Sequence, residues 1–584
     1  MRGSMRYFAL ATDYDGTLAH DGVVSPATVE ALERFWETGR KLLLVTGREL
    51  PDLMRVFRRL DLFERVVAEN GALIYRPATR EEQSLGEAPP DVFVNALRER
   101  DIAPLSVGRV IVATWHPNEV RVLETIRDLG LELQVIFNKG AVMVLPPGIN
   151  KAAGLCAALT QLGLSPHNVV ATGDAENDHA FMQLCECAVA VENALPMVQE
   201  RADYVTAADH GAGVVELIDR IVATDLVELA PRLSRYDLLL GTRTDDEQPV
   251  HLKPYGANVL LTGSSGSGKS TIATAILERL DEQQYQFCII DPEGDYESFE
   301  GTLVLGDPSR SPSVDAVMDL LEKPDQNAIV NLLGVGMADR PAFFEGLLPR
   351  LQELRARSGR PHWIVIDEAH HLLPTSWRPS STTLPQELSG LMLITVHPDH
   401  VAPAVLSLID TIVTVGEAPE QAIETFSAAL ERSRDAGEPL EARPPASAPT
   451  RLENGEALIW SRSSRESPFR LRLAPPRGER RRHLRKYAEG TLAEDKSFYF
   501  RGPAGKLNLR AQNLVLFNQI AEGVDDETWL YHLHQGDYSR WFREAIKDDT
   551  LADEIARIEE RQIGPAESRT AIKAAIEERY TAPA

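Results

Sequence analysis

The segment from Gly263 to Thr271, GSSGSGKST, constrains the fold of this chain more than any other feature. It has the form GxxxxGK[ST], with an apolar strand-like run, ANVLL, before it and a helix-like run, STIATAILERL, after it. Glycines let backbone N–H groups close around phosphates at the start of a helix, where the helix dipole favours negative charge. Because such a loop stands between a strand and a helix, the sequence predicts an α/β unit that binds a nucleotide.

The polar residues of this loop have expected roles. Lys269 would reach the β- and γ-phosphates of ATP, and Ser270 would bind Mg²⁺. ATP and Mg²⁺ are therefore the cofactors predicted for this segment. The nucleotide-binding residues predicted from the motif are Gly263, Gly266, Ser267, Gly268, Lys269, Ser270 and Thr271.

A pair of acids follows the loop further along the chain. Residues 363–366, WIVI, have the character of a buried strand and lead directly into Asp367 and Glu368. Asp367 would orient Mg²⁺ through water, and Glu368 would polarise the water that attacks ATP. Two adjacent acids after a strand are typical of one class of proteins with a phosphate-binding loop, or P-loop. In that class an extra strand lies between the strand before the loop and the strand before the acids. The runs FCIIDPEGDY and LMLITVHPDH are candidate neighbouring strands, and Thr395 or His397 would lie at a strand end near the γ-phosphate.

The N-terminal part of the chain carries carboxylates at the end of another strand-like run. FALATDYDG places Asp13 and Asp15 two residues apart, where parallel α/β sheets bind ligands. One interpretation is that Asp13 attacks a phosphorus atom and Asp15 donates a proton to the leaving oxygen. Thr46, after KLLLV, would bind a phosphoryl oxygen, and Lys151, which opens a helix, would add positive charge. The run GDAEND, Gly173 to Asp178, supplies hard oxygen ligands suited to Mg²⁺.

Taken in order, the pieces DxDGT, TGR, a lone Lys and GDxxND resemble the four motifs of the haloacid-dehalogenase-superfamily phosphatases. The resemblance covers about residues 5–225, and the insertion at about residues 80–147 resembles the C2 cap of the sugar-phosphatase branch. It implies an aspartyl-phosphate intermediate at Asp13, with Asp15 as the acid and then the base. It also implies a Mg²⁺ ion held by Asp13, the main-chain carbonyl of Asp15, and Asp174, with Asp178 in support.

The nucleotide-binding segment resembles a second family. The runs DPEGDY and DEAH and the segment TVHPDHVAPAVLSLIDTIVT are similar to the HerA/FtsK class of DNA-pumping ATPases, over about residues 232–475. That resemblance implies a ring of subunits, often six, and an arginine supplied by a neighbouring subunit. The candidates for this arginine are Arg340, Arg350, Arg355, Arg357 and Arg360.

The predicted fold class is α/β, with two doubly wound parallel-sheet units and a small, mainly helical C-terminal domain. The expected bounds are 5–225 for a Rossmann-like core with an inserted α/β cap, 232–475 for a RecA-like P-loop core, and 476–584 for the helical domain. Aromatic residues from Phe498 to Phe542 favour the core of that domain over a base-stacking surface. The basic run from Arg477 to Lys486 favours a solvated linker or helix start over a phosphate-binding patch.

The charge balance bears on the partners of the chain. Lys plus Arg is 61 and Asp plus Glu is 87, which leaves a formal net charge of −26. An acidic chain disfavours general nucleic-acid binding, because phosphate backbones attract basic surfaces. No apolar run reaches the length of about 18 residues that a membrane span needs. The four cysteines form no CxxC pair, which indicates a reducing, cytoplasmic setting.

These observations favour an enzyme. We expect a Mg²⁺-dependent phosphomonoester hydrolase for a small phosphorylated metabolite, with sugar phosphates as the first choice, regulated by a joined ATPase in a homo-oligomer. Two alternatives stay open. An ATP-driven nucleic-acid translocase or processing enzyme with an accessory phosphatase predicts ATP hydrolysis that DNA stimulates. A nucleotide-sensing signalling module predicts an oligomer whose size changes with ATP.

Overall fold

A computed structural model describes residues 5–264, 267–297, 299–377, 388–431, 452–462, 466–476, 497–503, 505, 507–546, 548–561 and 563–580. The chain forms two compact units that divide between Ala474 and Pro475. Within the described residues, the first unit contains two large, mainly parallel sheets, and the second unit is mainly helical. The predicted α/β class, with parallel-sheet cores and a helical C-terminus, is confirmed. The three sets of domain bounds stay a prediction.

The N-terminal part of the first unit alternates strands and helices. In chain order its elements are β1 (Ala9–Asp13), α1 (Pro26–Glu37), β2 (Lys41–Val45), α2 (Leu50–Val56), β3 (Arg65–Ala68), β4 (Leu73–Arg76), β5 (Glu81–Ser84), α3 (Asp91–Glu99), β6 (Ser106–Val107), β7 (Val112–Trp115), α4 (Glu119–Asp128), β8 (Gln134–Asn138), β9 (Ala141–Leu145), α5 (Lys151–Leu162), β10 (Val169–Gly173), α6 (His179–Leu184), β11 (Cys187–Ala190), α7 (Pro196–Gln199), β12 (Tyr204–Val205) and α8 (His210–Thr224). The large sheet has the order β12-β11-β10-β1-β2-β3-β4-β5. It is parallel from β12 to β3 and antiparallel from there to β5.

Local sequence explains where these elements begin and why they pack. Ser25 caps α1, since its hydroxyl accepts a hydrogen bond from the Thr28 N–H, and Pro26 takes the first helical position. The central strands β1, β2 and β10 are apolar on both faces and almost wholly buried. Such strands are typical of a parallel sheet that helices cover on both sides.

The chain between β5 and α5 forms a separate small sheet, which we call the cap. Its strands have the order β6-β7-β9-β8 and are antiparallel. Phe93 and Leu97 of α3 and Val122 of α4 share its apolar core. A two-residue turn, Lys139 and Gly140, joins β8 to β9. The cap is thus an insertion with its own small core, tied to the large sheet at both ends.

The C-terminal part of the first unit contains the second large sheet. Its elements are β13 (Leu238–Arg243), β14 (Pro249–Leu252), β15 (Asn258–Gly263), α9 (Lys269–Glu282), β16 (Phe287–Asp291), β17 (Thr302–Leu305), α10 (Val314–Leu321), β18 (Asn327–Asn331), α11 (Arg340–Ser358), β19 (Trp363–Ile366), α12 (Ala369–Leu372), β20 (Leu391–Thr395), α13 (Pro403–Leu406), β21 (Thr411–Val415), α14 (Pro419–Glu431), β22 (Glu456–Ser461) and β23 (Phe469–Leu473). The strand order is β14-β13-β23-β22-β21-β15-β20-β19-β16-β18-β17. Strand β20 lies between β15 and β19 and is parallel to both. The predicted extra strand between the two nucleotide motifs is confirmed.

The two large sheets of the first unit meet along a buried contact that we call the polar seam. His362 Nε2 lies 3.1 Å from Asn168 Oδ1, and both residues are buried. The Tyr285 hydroxyl donates to Glu186 at 2.7 Å. Asn168 and Glu186 stand next to the starts of β10 and β11, while His362 and Tyr285 stand near the starts of β19 and β16. The seam therefore joins the amino ends of strands from both sheets.

The polar seam also joins two helix ends. Gly163 caps the carboxyl end of α5, and its carbonyl accepts hydrogen bonds from Arg360 at 2.7 and 3.2 Å. Gln283 caps the carboxyl end of α9, and its carbonyl lies 2.6 Å from His167 Nε2. Donors placed at the carboxyl end of a helix satisfy carbonyl groups that the helix itself leaves unpaired. Each sheet layer thus supplies a side chain that caps a helix of the other.

The second unit is a small helical domain with a short strand pair, β24 (Phe498–Phe500) and β25 (Leu509–Ala511). Its core contains the buried rings of Phe517, Trp529 and Tyr538, so the interpretation of the aromatic residues as core is confirmed. The basic run Arg477 to Lys486 lies outside the described residues. The helices of this unit are Leu514–Gly523, Asp526–Gln535, Asp537–Trp541, Asp549–Glu559 and Pro565–Tyr580.

Candidate active sites

Strand ends of the first large sheet bring the N-terminal motifs together. Asp13 ends β1, Thr46 follows β2, and Asp174 follows β10. Strand β1 lies between β2 and β10 and is parallel to both. The three residues therefore meet at the carboxyl edge of the sheet, where α/β proteins bind ligands. Thr46 is fully buried, and its hydroxyl accepts the Arg48 backbone N–H at 3.1 Å.

A buried lysine stands at the centre of this edge. Lys151, the first residue of α5, donates from Nζ to Asp13 Oδ1 at 2.6 Å and to Asp178 Oδ1 at 2.5 Å. Burial lowers the pKa of Lys151, but the two carboxylates more than offset this and hold it above its ordinary value. Burial and the charge of Asp178 raise the pKa of Asp13, against the opposing effect of Lys151. Lys151 is thus a fixed ammonium group beside the predicted nucleophile.

Asp178 holds the loop that follows β10. Its Oδ2 accepts the backbone N–H groups of Asp174 and Ala175, each at 2.9 Å, while its Oδ1 contacts Lys151. Thr17 donates to Asp174 Oδ1 at 3.2 Å. Both oxygens of Asp178 are therefore engaged by the chain itself, and this residue positions Asp174 and Lys151.

The buried acids suit a divalent cation. Asp13, Asp174 and Asp178 each offer a carboxylate oxygen, and these atoms lie within 4.8 Å of one another. Hard carboxylate oxygens are the ligands that Mg²⁺ prefers. The ammonium group of Lys139, in the cap, already contacts this cluster, because its Nζ donates a hydrogen bond to Asp174. Burial raises the pKa of Asp174, which a bound cation would counteract. The residues fit Mg²⁺, which Asp13, Asp174 and the main-chain carbonyl of Asp15 would hold.

The turn after Asp13 depends on Gly16. Its φ is 89°, a conformation that side chains other than glycine rarely adopt. A Cβ atom at this position would also collide with the side chain of Asp174. Gly16 therefore lets the first motif approach the acidic cluster closely.

Arg48 is a site residue to which sequence reasoning gave no role. Its Nε donates to Asp15 Oδ2 and its Nη2 to Asp15 Oδ1, both at 2.7 Å. A further bond of 2.5 Å joins Arg48 to Asp52 in α2. A bidentate pair of this kind fixes the orientation of a carboxylate. The signal was present in the sequence, because Arg48 is the last residue of the TGR motif.

The nucleotide-binding loop connects β15 to α9. Gly268 has a φ of 98° and stands directly before Lys269, the first residue of α9. Lys269 Nζ donates to the carbonyl oxygens of Gly263 at 3.2 Å and Ser264 at 3.0 Å. Burial lowers the pKa of Lys269, against the charges of two acids, Glu368 and Asp367. The lysine thus lies within the loop that would surround the phosphates.

The other predicted residues of this loop lie beside Lys269. Ser267 is half-buried, and Ser270 and Thr271 belong to the first turn of α9, with Ser270 exposed. Gly266 lies outside the described residues. The described part of the loop therefore has the strand, loop and helix context that the motif requires.

Asp367 and Glu368 follow β19 at the same edge of the second sheet. Burial raises the pKa of Asp367 to about 8, and the charges of Glu368 and Asp291 add to this effect. Burial also raises the pKa of Glu368. Glu368 has a φ of 41°, and strained backbone of this kind is concentrated at functional sites. A positive charge at this place would therefore stabilise the ionised forms of the two acids.

His370 lies between Glu368 and the end of β20, and sequence reasoning gave it no role. Its Nδ1 lies 3.3 Å from Glu368 Oε2 and 3.1 Å from the hydroxyl of Thr395, the last residue of β20. The same hydroxyl accepts the His397 backbone N–H at 3.0 Å. Burial and neighbouring histidines, among them His371, lower the pKa of His370 to about 4. The neutral ring thus forms its hydrogen bond with Thr395 and lies beside Glu368.

The five candidate arginines differ in what they contact. Arg355 is held by the backbone carbonyls of residues 361, 362 and 389. Arg360 belongs to the polar seam, and Arg340 is buried and donates to a carbonyl of its own loop. Arg350 and Arg357 lie on exposed faces, with side chains 49% and 60% exposed. The structure therefore excludes Arg355 and Arg360 as residues that reach a neighbouring subunit, because their guanidinium groups are committed within the chain.

Comparisons with known proteins find matches to two parts of this chain. Residues 10–109 and 121–218 match the family model of the haloacid dehalogenase-like hydrolases, and residues 255–405 match that of the AAA domain. The phosphoglycolate phosphatase of Methanothermobacter thermautotrophicus is 31% identical over 223 residues, which cover 37% of this chain and 98% of that protein. Phosphoglycolate phosphatase 2 of Saccharolobus solfataricus is 31% identical over 221 residues, covering 37% and 92%. A solved haloacid dehalogenase-like hydrolase from Bacteroides thetaiotaomicron is 22% identical, covers 37% of this chain and 99% of that chain, and has a TM-score of 0.34.

The fold and the two sites define a hydrolase with a separate nucleotide-binding domain. The chain belongs to the haloacid dehalogenase-like hydrolases, and its second sheet contains the residues that match the AAA domain. The predicted class of enzyme, a phosphatase joined to an ATPase, is confirmed at this level. The narrower HerA/FtsK type and the ring of subunits stay predictions. Among the described helices, none is both long and apolar enough to cross a membrane.

Proposed function

We propose that this chain is a Mg²⁺-dependent phosphomonoester hydrolase that acts through an aspartyl-phosphate on a small phosphorylated metabolite. The observation that carries the proposal is the contact of Lys151 Nζ with Asp13 at 2.6 Å and with Asp178 at 2.5 Å in a buried site. A carboxylate that attacks an anionic phosphoryl group needs positive charge that is already in place. Lys151 supplies that charge from the first turn of α5.

In the first step, a carboxylate oxygen of Asp13 attacks phosphorus, and the bond from phosphorus to the leaving oxygen breaks. Asp15, in its protonated form, gives its proton to the leaving oxygen, so the product departs as an alcohol. The hydroxyl of Thr46 and the backbone at Gly16 would contact phosphoryl oxygens. Mg²⁺, when bound by Asp13 and Asp174, supplies further positive charge to those oxygens.

In the second step, water attacks the phosphorus of the aspartyl-phosphate. Asp15 is now a carboxylate and accepts a proton from the water, while the bond between phosphorus and Asp13 breaks. Inorganic phosphate leaves, and both aspartates return to their starting forms. Arg48 donates to both oxygens of Asp15 at 2.7 Å and so orients its carboxylate form, which is the form that accepts the proton in this step.

The proposed substrate is small, because the cap reaches into the site. Lys139 in the turn between β8 and β9 contacts Asp174 of the core, so the space beyond the phosphoryl group is bounded by the cap. Two relatives carry the name phosphoglycolate phosphatase. Phosphoglycolate and sugar phosphates are therefore the first compounds to test.

We also propose that ATP at the P-loop domain changes the phosphatase rate. The polar seam supports this coupling, because each of the two site lysines begins a helix that ends there. Helix α5 runs from Lys151 to the Gly163 carbonyl that Arg360 contacts, and α9 runs from Lys269 to Gln283. A shift of either helix would move a hydrogen-bonded group of the other domain.

The test is phosphate release, with Mg²⁺, from a panel of 2-phosphoglycolate, sugar phosphates and nucleotides. Each assay runs with and without a non-hydrolysable ATP analogue, and then with DNA. We expect hydrolysis of a metabolite at a rate that changes with the analogue. Hydrolysis of ATP alone, at a rate that rises with DNA, would favour the nucleic-acid motor instead. If the analogue does not change the rate of metabolite hydrolysis, the chain carries two enzymes that are not coupled.

A further inference from the structure

The cap contributes one lysine to the phosphatase site. Lys139 is the single lysine in residues 80–147, and with Gly140 it forms the two-residue turn between β8 and β9. The φ angles of the two residues are 47° and 86°. Turns with positive φ at both positions favour Asn-Gly, and a lysine adopts this conformation with strain. A strained residue that faces a site is evidence for a function.

The turn places its ammonium group between cap and core. Lys139 Nζ donates to Asp174, and a Cβ atom built on Gly16 would lie 2.7 Å from the same Nζ. The neighbouring strand β9 also lies over the site, because the sulfur of Met143 would lie 3.6 Å from a Cβ atom built on Gly47. Lys139 therefore lies over the loop that follows the nucleophile, on the side from which the cap covers it.

A buried contact holds the cap in this position. Glu69 of the core is fully buried, and its carboxylate accepts the backbone N–H groups of Arg109 and Val110 at 2.9 Å each and of Ile111 at 3.1 Å. Three hydrogen bonds to one carboxylate fix the entry to strand β7. The approach of Lys139 to the site is therefore part of how the cap is seated.

The other charges at the site are paired within the core. Lys151 contacts Asp13 and Asp178, and Arg48 contacts Asp15. Lys139 is different, because it comes from the cap and its side chain is 46% exposed. Its flexible four-carbon stem can move the charge toward a ligand.

We propose that Lys139 determines specificity by binding a carboxylate on the leaving-group part of the substrate. The substrate class is then a phosphorylated hydroxy acid, chosen over phosphate esters of neutral alcohols. The inference rests on the proposed phosphatase function, in which the phosphoryl group lies at Asp13 and the rest of the substrate faces the cap. Asp174 belongs to the acidic cluster that suits Mg²⁺, so a bound metal ion would compete with the ammonium group of Lys139 for this carboxylate. Once Lys139 is displaced from Asp174, the carboxylate of the substrate would be its partner.

The test compares two kinds of substrate in three variants. Lys139→Asn removes the charge and suits the turn, so it is expected to fold at least as well as the natural protein. Lys139→Arg keeps a positive charge, and Arg121→Ala removes an exposed cation from α4 of the same cap. The substrates are 2-phosphoglycolate and ethyl phosphate, and phosphonoacetate and ethylphosphonate serve as matched inhibitors.

We expect Lys139→Asn to lower kcat/KM for 2-phosphoglycolate about tenfold or more, as for loss of one charge-assisted contact. Ethyl phosphate hydrolysis is expected to change less than about threefold, and the inhibition constant is expected to rise for phosphonoacetate alone. Lys139→Arg should keep most of the preference, and Arg121→Ala all of it. Equal losses on both substrates, no loss, or a natural protein without preference for the carboxylate would each overturn the inference. Failure of the phosphatase proposal looks different, since neither ester would then be hydrolysed.

Discussion

His362 Nε2 lies 3.1 Å from Asn168 Oδ1, and each of these residues directly precedes a strand whose other end leads to a site acid, Asp367 or Asp174. His362 Nδ1 also accepts the backbone N–H of Gln286 at 2.9 Å. A neutral ring with its proton on Nε2 satisfies both contacts. One hydrogen bond thus connects the two strands, β10 and β19, that position the phosphatase and nucleotide sites.

The burial of His362 predicts a pH-dependent stability. Burial, with His167 and Arg360 adding, lowers its pKa well below the ordinary value of 6.5. Above that value the ring is neutral in both folded and unfolded chains, so its contribution to stability is fully present. As the pH falls below 6.5, the unfolded chain takes up a proton that the folded chain does not, and stability is lost. We expect His362→Gln to flatten the fall in Tm between about pH 7 and pH 5.

The control for this experiment is His534→Gln, because His534 is exposed in the second unit. This variant is expected to leave the pH dependence of Tm for the unfolding of the first unit unchanged. Differential scanning calorimetry of the three proteins gives the comparison. Identical slopes for the natural protein and His362→Gln would contradict the prediction.

Asp13→Asn removes the proposed nucleophile. We expect phosphatase turnover to fall by roughly a thousandfold or more, because the covalent step is lost. ATP hydrolysis is expected to stay within about twofold, since the nucleotide site is built by the other sheet. Phosphate release from each substrate measures both rates. Equal loss of the two activities in a folded variant would show that the sites are not independent.

Lys269→Ala removes a residue of the nucleotide site, and its expected effects on the two activities are the reverse of those of Asp13→Asn. The lysine is expected to bind the β- and γ-phosphates, so ATP hydrolysis should be lost while basal phosphatase activity remains. The response of the phosphatase to an ATP analogue should disappear as well. Lys323→Ala, at an exposed position of the same domain, is the matched control. A response that survives in Lys269→Ala would mean that ATP acts elsewhere.

Lys151→Met is expected to destabilise the first unit. It leaves the buried carboxylates of Asp13 and Asp178 without their counter-charge, and loss of one partner of a buried pair costs about 3–5 kcal/mol. Mg²⁺ should restore part of this stability, because it would bind Asp13, one of these two acids. Urea unfolding with and without Mg²⁺ measures both effects. The double variant Lys151→Met with Asp178→Asn should lose less than the single variant, and a larger loss would argue against charge as the cause.

Much of both sites could be predicted from the sequence, because their residues follow apolar strands. Asp13 and Asp174 come directly after β1 and β10, and parallel strands deliver such residues to one edge. The extra strand β20 was also predictable, since adjacent acids after β19 are typical of that class of P-loop protein. In these cases the functional residue and its position belong to one short segment.

Other residues could not be assigned because their partners are distant in sequence. Lys139 reaches Asp174 through the seating of the cap, and Arg48 reaches Asp15 across two strand ends. Arg360 was a candidate for action on a neighbouring subunit, yet it donates to the Gly163 carbonyl. Periodicity and spacing describe a segment and its own faces, and these roles arise only where two segments pack together.

The polar seam also decides what can pass between the two sites. Because it joins the amino ends of β10 and β19, the edges that carry Asp174 and Asp367 face away from the contact. A product released at either carboxyl edge would therefore leave at the strand end that is remote from the polar seam, and we expect the two reactions to exchange no product directly. Under the proposed coupling, what crosses the junction is a displacement of strands and helices rather than a molecule.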